Sequence, residues 1–344
     1  MLTTIKTNPK QSIKKLLSVL PVRAREVTIK RYGLGQDPDR MTLESIGKNY
    51  NITRERVRQI ENYALANIRK SEAYKKEKEI FDELAKALEN FGGIVSEDDF
   101  LESLTKDVSL QNYIHFLLVV GENFKKQKED EEFRHRWFID EKLADQVHES
   151  LRKFYKNLSD DDLIPETEAI KNFLIQVKDV SEEYKNEEIA KRWLSLCKNI
   201  GKNPLGEWGK SSSPNVRTKG IRDYAFLVIR KHGSPIHFKE VAKSITKIFN
   251  KKAHVATTHN ELIKDSRFVL VGRGLYALSE WGYLSGVVKD VIRKILEKNG
   301  PLTKEEIIDK VLKERYVKEN TIIVNLQNPK FFKKDKQGKY SIVN

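Results

Sequence analysis

The sequence predicts a mainly α chain, with an N-terminal helix-turn-helix followed by tandem winged-helix modules that carry small β-wings. Two observations carry that prediction. Between Gln11 and Lys70, apolar residues return at three- and four-residue spacing with sharp breaks between the runs, as short amphipathic helices require. Downstream, an order of helix, small-residue turn, helix, helix and two strand-like runs returns three times, which marks a repeated module.

The bulk properties agree with a folded, well-solvated chain. Its 344 residues allow two or more domains. Charged residues reach 33%, against about 25% in an average domain. No run approaches the roughly 18–20 apolar residues of a membrane span. Met1–Lys15 lacks an apolar stretch ending in a small-residue cleavage site. The single cysteine, Cys197, excludes an intramolecular disulfide and fits a reducing cytoplasm. Neither secretion nor a membrane partner is expected.

The net charge of +14 is unevenly spread. Residues 1–70 hold 15 Lys+Arg and 6 Asp+Glu, a balance of +9. Residues 71–170 hold 14 and 25, a balance of −11, and residues 171–344 hold 35 and 19, a balance of +16. The basic ends suit a polyanion such as double-stranded DNA, whose neutralised phosphates release counterions; the acidic middle would be repelled by it.

The first helix carries Ile13, Leu16, Leu17 and Leu20 on one face. Pro21 can open a second helix, because its missing N–H would be unpaired in the first turn anyway. That helix carries Val22, Val27 and Ile29 and ends at Tyr32-Gly33, before the turn-rich loop Gly35–Asp39. Thr42 can cap a third helix bearing Leu43, Ile46 and Tyr50. Gly47 there lets the next helix cross closely, and Asn51 tolerates the left-handed turn. Thr53 caps the fourth helix, whose buried stripe is Val57, Ile60 and Ala64. The exposed residues on it are Arg54, Glu55, Arg58 and Gln59. These types read base edges: Arg bonds guanine, Gln adenine, and Glu the cytosine amino group. They cluster at the helix N-terminus, the end that enters the major groove in this motif.

Leu20–Val27, Arg31–Leu34, Thr42–Gly47 and Thr53–Glu61 together resemble region 4 of the sigma-70 family over about sixty residues. The resemblance implies a bacterial, nucleoid-associated setting, binding to the −35 promoter element and docking on the flap of core RNA polymerase. It makes Arg54, Glu55, Arg58 and Gln59 the base-reading set. Thr42, Thr53 and Arg56 are expected to meet phosphates. Asn51 replaces the family's usual turn glycine. Sigma factors carry this region at their C-terminus, after a region that melts the −10 element. It opens this sequence and no melting region is read after it, so a housekeeping sigma factor is not expected.

The three repeats run Phe81–Ile139, Gly220–Trp281 and Val287–Val343. With the region-4-like segment they give five expected parts: 1–72, an acidic winged-helix-like module at 73–145, a helical connector and linker at 146–219, and winged helices at 220–284 and 285–344. The second repeat, through Pro235–Ala242, Thr258–Ile263 and Phe268–Leu278, resembles the HARE-HTH domain. That implies a transcription setting without choosing between DNA and protein as partner. In the first repeat, Leu110–Val120 is so apolar that its would-be recognition helix should be buried against protein, with the basic domains as the expected cover. In the second, Lys251, Lys252, Lys264, Arg267 and wing residue Arg273 could meet phosphates; in the third, Lys333, Lys334, Lys336 and Lys339 crowd the wing. Between the repeats, Leu163–Ile200 reads as helical, and Trp208 as the anchor of a loop.

Other constellations give no chemistry. His232, His237, His254 and His259 match no zinc spacing, so no metal or other cofactor is expected, and His237 and His259 read as hydrogen-bonded structural residues. Asp160-Asp161-Asp162 reads as a helix start or loop cluster, and Val271–Gly274 as a wing turn. The expected function is therefore non-enzymatic, without a small-molecule substrate: a sequence-specific transcription initiation factor or regulator that reads a −35-like element and contacts RNA polymerase. The alternative is a polymerase-associated, delta-like subunit that acts through protein contacts and sigma competition.

Overall fold

The computed structural model describes residues 5–178 and 180–343. The start of the Met1–Lys15 stretch considered for secretion lies outside the described residues. The chain divides into two compact units, one from the N-terminus to Gly201 together with Trp208–Ser212, the other Lys202–Glu207 together with Ser213–Asn344.

The first unit opens with α1 (Pro9–Ser18), α2 (Val22–Tyr32), α3 (Leu43–Tyr50) and α4 (Arg54–Lys70). Local chemistry sets their ends. The Asn8 side chain accepts from the first-turn amides of α1, and Gly33 ends α2 with φ +64°. Thr42 and Thr53 each cap as expected, accepting from the amides of Ser45 and Arg56. Asn51 takes the left-handed turn between α3 and α4 at φ 53°. A Cβ on Gly47 would stand 2.7 Å from the carbonyl oxygen of Ile52, so the close crossing there does require glycine.

There follow α5 (Glu72–Lys76), α6 (Lys78–Asn90), β1 (Ile94–Ser96), α7 (Glu97–Leu104), α8 (Val108–Val120), β2 (Lys125–Gln127) and β3 (Arg136–Phe138). Strand order is β1-β3-β2, all antiparallel, the expected winged-helix arrangement. Its apolar third helix, α8, is buried as anticipated. It packs against α1, α2 and α4, so Leu16, Leu17, Leu20, Ile68, Phe116, Leu117 and Leu118 share one core. Each fully buried Leu or Phe there contributes about 1.5–3 kcal/mol. Polar contacts finish the seam. The Asn112 amide donates to the carbonyls of Gly33 and Pro38 and accepts from Arg40. Arg69 donates to the carbonyls of Val119 and Val120.

A second core joins α9 (Glu141–Asn157), α10 (Glu166–Gln176) and α11 (Glu187–Leu196) around Trp193. The expectation of helix through Leu163–Ile200 is met by two helices rather than one. Between them Val177 and Val180 turn inward, and a short 3-10 turn, Glu182–Tyr184, follows. Asp160–Asp162 does not start a helix, which begins after Pro165; Asp162 instead accepts from the amide of Ser159 in the preceding turn. The strands β4 (Ile200–Lys202) and β5 (Trp208–Lys210) follow, and the Trp208 backbone pairs with Ile164.

The second unit repeats the winged-helix order twice. One copy is α12 (Ile221–His232), β6 (Ile236–His237), α13 (Phe238–Phe249), α14 (Val255–Lys264), β7 (Phe268–Gly272) and β8 (Leu275–Leu278), with strand order β6-β8-β7. The other is α15 (Val288–Asn299), α16 (Lys304–Glu314), α17 (Glu319–Leu326), β9 (Phe332–Lys334) and β10 (Tyr340–Ile342). A bridge from Leu302 to Tyr340 stands in for its first strand. Thr303 and Glu306 form the expected capping box. The two copies touch where the Tyr316 amide donates to the carbonyl of Val271 at 2.7 Å.

Candidate nucleic-acid interface

The helix-turn-helix carries seven of the sequence-predicted residues. Thr42 and Thr53 sit at the starts of α3 and α4, and Arg54, Glu55, Arg56, Arg58 and Gln59 occupy the first two turns of α4. All seven are exposed, while Val57 faces a small core with Val27 and Ile46. The helix is held from behind: Tyr32 and Arg31, both on α2, donate to the Glu61 carboxylate at 2.8 and 3.3 Å.

The side chains are already ordered among themselves. The Arg58 guanidinium makes a two-pronged bond to Glu55, Nε–Oε2 2.9 Å and Nη2–Oε1 2.7 Å. This bond holds the Glu55 carboxyl below the usual carboxylate range. Arg56 donates to the Gln59 amide oxygen at 3.0 Å. With the pairs three residues apart on a helix face, such contacts are short-range and solvent-exposed. Meeting a guanine edge with the Nε–Nη2 side of Arg58 therefore means exchanging Glu55 for the base. The Thr42 and Thr53 oxygens accept backbone amides, which leaves each hydroxyl proton available to a phosphate.

A cleft of about 300 Å³ that the sequence did not disclose lies beside these residues, lined by Pro21, Arg23, Arg56, Gln59, Ile60 and Tyr63. Its α4 half was legible, since Arg56, Gln59, Ile60 and Tyr63 recur at helical spacing. Its other wall depends on how α2 lies against α4, which spacing alone does not give.

The remaining predicted phosphate contacts are in the second unit. Lys264 ends α14, and Arg273 lies in the turn between β7 and β8; both are exposed. Lys333, Lys334 and Lys336 are exposed on the β9–β10 wing, with the Lys334 ammonium 5.7 Å from the centre of the Tyr340 ring. Two further expectations are corrected. Arg267 is not free for phosphate: it donates to Asp223, Asp265 and Asn215, an internal clamp that fixes the start of β7. Lys251 turns back over the Tyr224 ring at 4.3 Å and donates to the Lys219 carbonyl. His237 does hydrogen-bond, accepting from the amide of Lys239 at the start of α13. His259 is held chiefly by stacking, its ring 4.2 Å from that of Phe238. The wing turn Arg273-Gly274 is as read: Gly274 has φ +75°, and a Cβ there would strike the His237 ring at 2.5 Å.

A four-helix module with an exposed, polar second helix after a tight turn defines a helix-turn-helix. Residues 16–70 match the family model for sigma-70, region 4. Over 73 residues the chain is 42% identical to the RNA polymerase sigma factor SigA of Clostridium acetobutylicum, covering 21% of this chain and 19% of that one. It is 47% identical over 60 residues to the sigma factor RpoD of Helicobacter pylori, and 49% over 61 residues to SigA of a Nostoc species. These segments cover 17% of this chain and 9% and 15% of the relatives. The chain thus spans about a fifth or less of the length of the curated relatives it matches.

Proposed function

We infer that this protein is a non-enzymatic, sequence-specific DNA-binding factor of bacterial transcription, working in the cytoplasm at the nucleoid. It reads a −35-like promoter element through α4 and contacts core RNA polymerase. The observation that carries this reading is the exposed set Arg54, Glu55, Arg58 and Gln59 at the N-terminus of α4, inside the segment that matches sigma-70 region 4. In this reading those four residues contact base edges. Thr42, Thr53 and Arg56 hold the adjoining backbone, and Lys264, Arg273, Lys333, Lys334 and Lys336 add phosphate contacts. The parts 1–72, 73–145, 146–219, 220–284 and 285–344 act as its modules, with the fourth serving as a HARE-HTH-type winged helix. Sequence selection follows from base contacts and affinity from phosphate contacts.

Substitution separates the two roles. Arg58→Ala is expected to lose about ten- to a hundredfold of discrimination at one base pair, the worth of a two-pronged base contact. Lys334→Ala should weaken matched and scrambled duplexes alike and lower the salt slope by about 0.9. Equal losses on both duplexes for Arg58→Ala would remove α4 from the reading role.

A second reading, a polymerase-associated subunit acting by protein contact, draws on one feature. The second winged helix exposes Ile263 (62%) on α14 and Leu270 (48%) on β7, apolar residues that suit a protein better than a phosphate backbone. Copurification with core polymerase and no duplex preference would favour it.

A further inference from the structure

We propose that α13 of the second winged helix is a DNA-backbone clamp, with Lys239, Lys243 and Lys247 as its phosphate contacts. The three follow one another at four-residue spacing and are all exposed, opposite the buried Val241, Ala242 and Ile245. At 1.5 Å per residue they span about 12 Å of helix. Along that length one strand of a duplex presents about three to four phosphates. Glu240 stands 4.0 Å from Lys243, while Lys239 and Lys247 make no ion pair among the described residues.

Two comparisons within the chain set this ladder apart from an ordinary solvated face. First, the fold does not require it. The helix in the same place in the first module, α7, presents Asp98, Asp99 and Glu102, and its counterpart in the third, α16, mixes Lys304, Lys310 and Lys313 with Glu305, Glu306 and Asp309. One architecture thus carries three charge patterns, so the lysine-rich version, with Glu240 as its one carboxylate, reflects its partner rather than its packing. Second, other cations of the same module are engaged internally. Arg267 is clamped by Asp223 and Asp265, and Lys251 covers Tyr224. At the base of the wing, Gly272 lies against Tyr316 of the third module, where even a Cβ would come within 2.9 Å of the Tyr316 carbonyl oxygen, while Arg273 in the turn stays exposed. The face of α13 remains open. In a helix-turn-helix the first helix is the one that crosses the backbone, and α13 holds that position ahead of α14.

The clamp is independent of base reading by α4, and the test separates them. The full chain and the variant Lys239→Gln/Lys243→Gln/Lys247→Gln are titrated by fluorescence anisotropy against matched and scrambled duplexes from 50 to 200 mM salt. The surface positions leave folding intact, checked by circular dichroism. The expected result is a salt slope shallower by about 2.7, from 0.9 per lysine, with the ratio of matched to scrambled affinity unchanged. An unchanged slope on both duplexes overturns the clamp, and would leave the ladder to an acidic protein instead. A flattened slope in a chain that shows no duplex preference would keep the clamp and remove the promoter reading alone.

Discussion

Asn112→Leu tests whether the seam between the helix-turn-helix and α8 holds that module in place. Asn112 is 3% exposed. Its amide nitrogen donates to the carbonyls of Gly33 (3.2 Å) and Pro38 (2.6 Å), and its oxygen accepts from Arg40 Nε at 2.6 Å. These bonds fix both ends of the loop that leads from α2 into α3. Leucine keeps the branched shape, with bulkier methyl groups, and removes all three. A neutral hydrogen bond contributes about 1 kcal/mol and one to a charged group about 1.5–3, while a stranded buried acceptor costs about 1–3. Because Arg40 can turn toward water, the net loss should be about 2–4 kcal/mol. With a urea dependence of about 2 kcal/mol per molar, the unfolding midpoint of the first unit falls by about 1–2 M. Urea titration followed by circular dichroism reads it directly. An unchanged midpoint would mean that the apolar contacts of Phe116, Leu117 and Leu118 hold the seam without this side chain.

Three further outcomes follow from the same geometry. Gly47→Ala drives a Cβ to 2.7 Å from the Ile52 carbonyl; the overpacking of about 1–3 kcal/mol outweighs a helix gain of about 1, and calorimetry should show a lower melting temperature. Glu55→Ala releases Arg58 from its two-pronged bond and removes a carboxylate that phosphates repel. Affinity for scrambled DNA should rise and the matched-to-scrambled ratio fall, and a ratio that rises would count against a reading role for Glu55. The third concerns pH. Burial, with Arg136 and Arg152 nearby, lowers the His148 pKa to about 4, and its ring accepts from Arg136 Nε at 2.8 Å. The unfolded chain binds that proton first, so stability is full above about pH 6.5 and declines as pH falls toward 4. Buried His115, also lowered by desolvation, acts in the same direction. Denaturation midpoints across pH 4–7 check this, and His148→Gln, which keeps an acceptor, should flatten the slope.

What the sequence disclosed was local. The caps Thr42 and Thr53, the turn at Asn51, the close crossing at Gly47 and the Thr303–Glu306 box are written within a few residues of where they act. The winged-helix order was legible from repetition, and the burial of α8 from an apolar run too long to face water. What was hidden depends on distant partners. Nothing in the sequence around Arg267 announces Asp223 and Asn215, 44 and 52 residues away. Leu110–Val120 pointed to a basic domain as its cover, though not to the particular helices α1, α2 and α4. The break between α10 and α11 was missed because Val177 and Val180 continue the apolar pattern while the backbone turns. At the candidate site, the pairing of Glu55 with Arg58 was available from their spacing and the cleft at Arg23 and Tyr63 was not, since one is made within a helix and the other between helices.

Promoter recognition by this protein rests, in the proposed reading, on α4 contacting base edges. The most direct measurement is the affinity of the unaltered full chain for a −35-containing duplex and for a scrambled duplex of equal length, by anisotropy at physiological salt. A preference for the −35 duplex should persist as salt rises, because base contacts do not share the counterion dependence of phosphate contacts. Equal affinities that decline together with salt would contradict it.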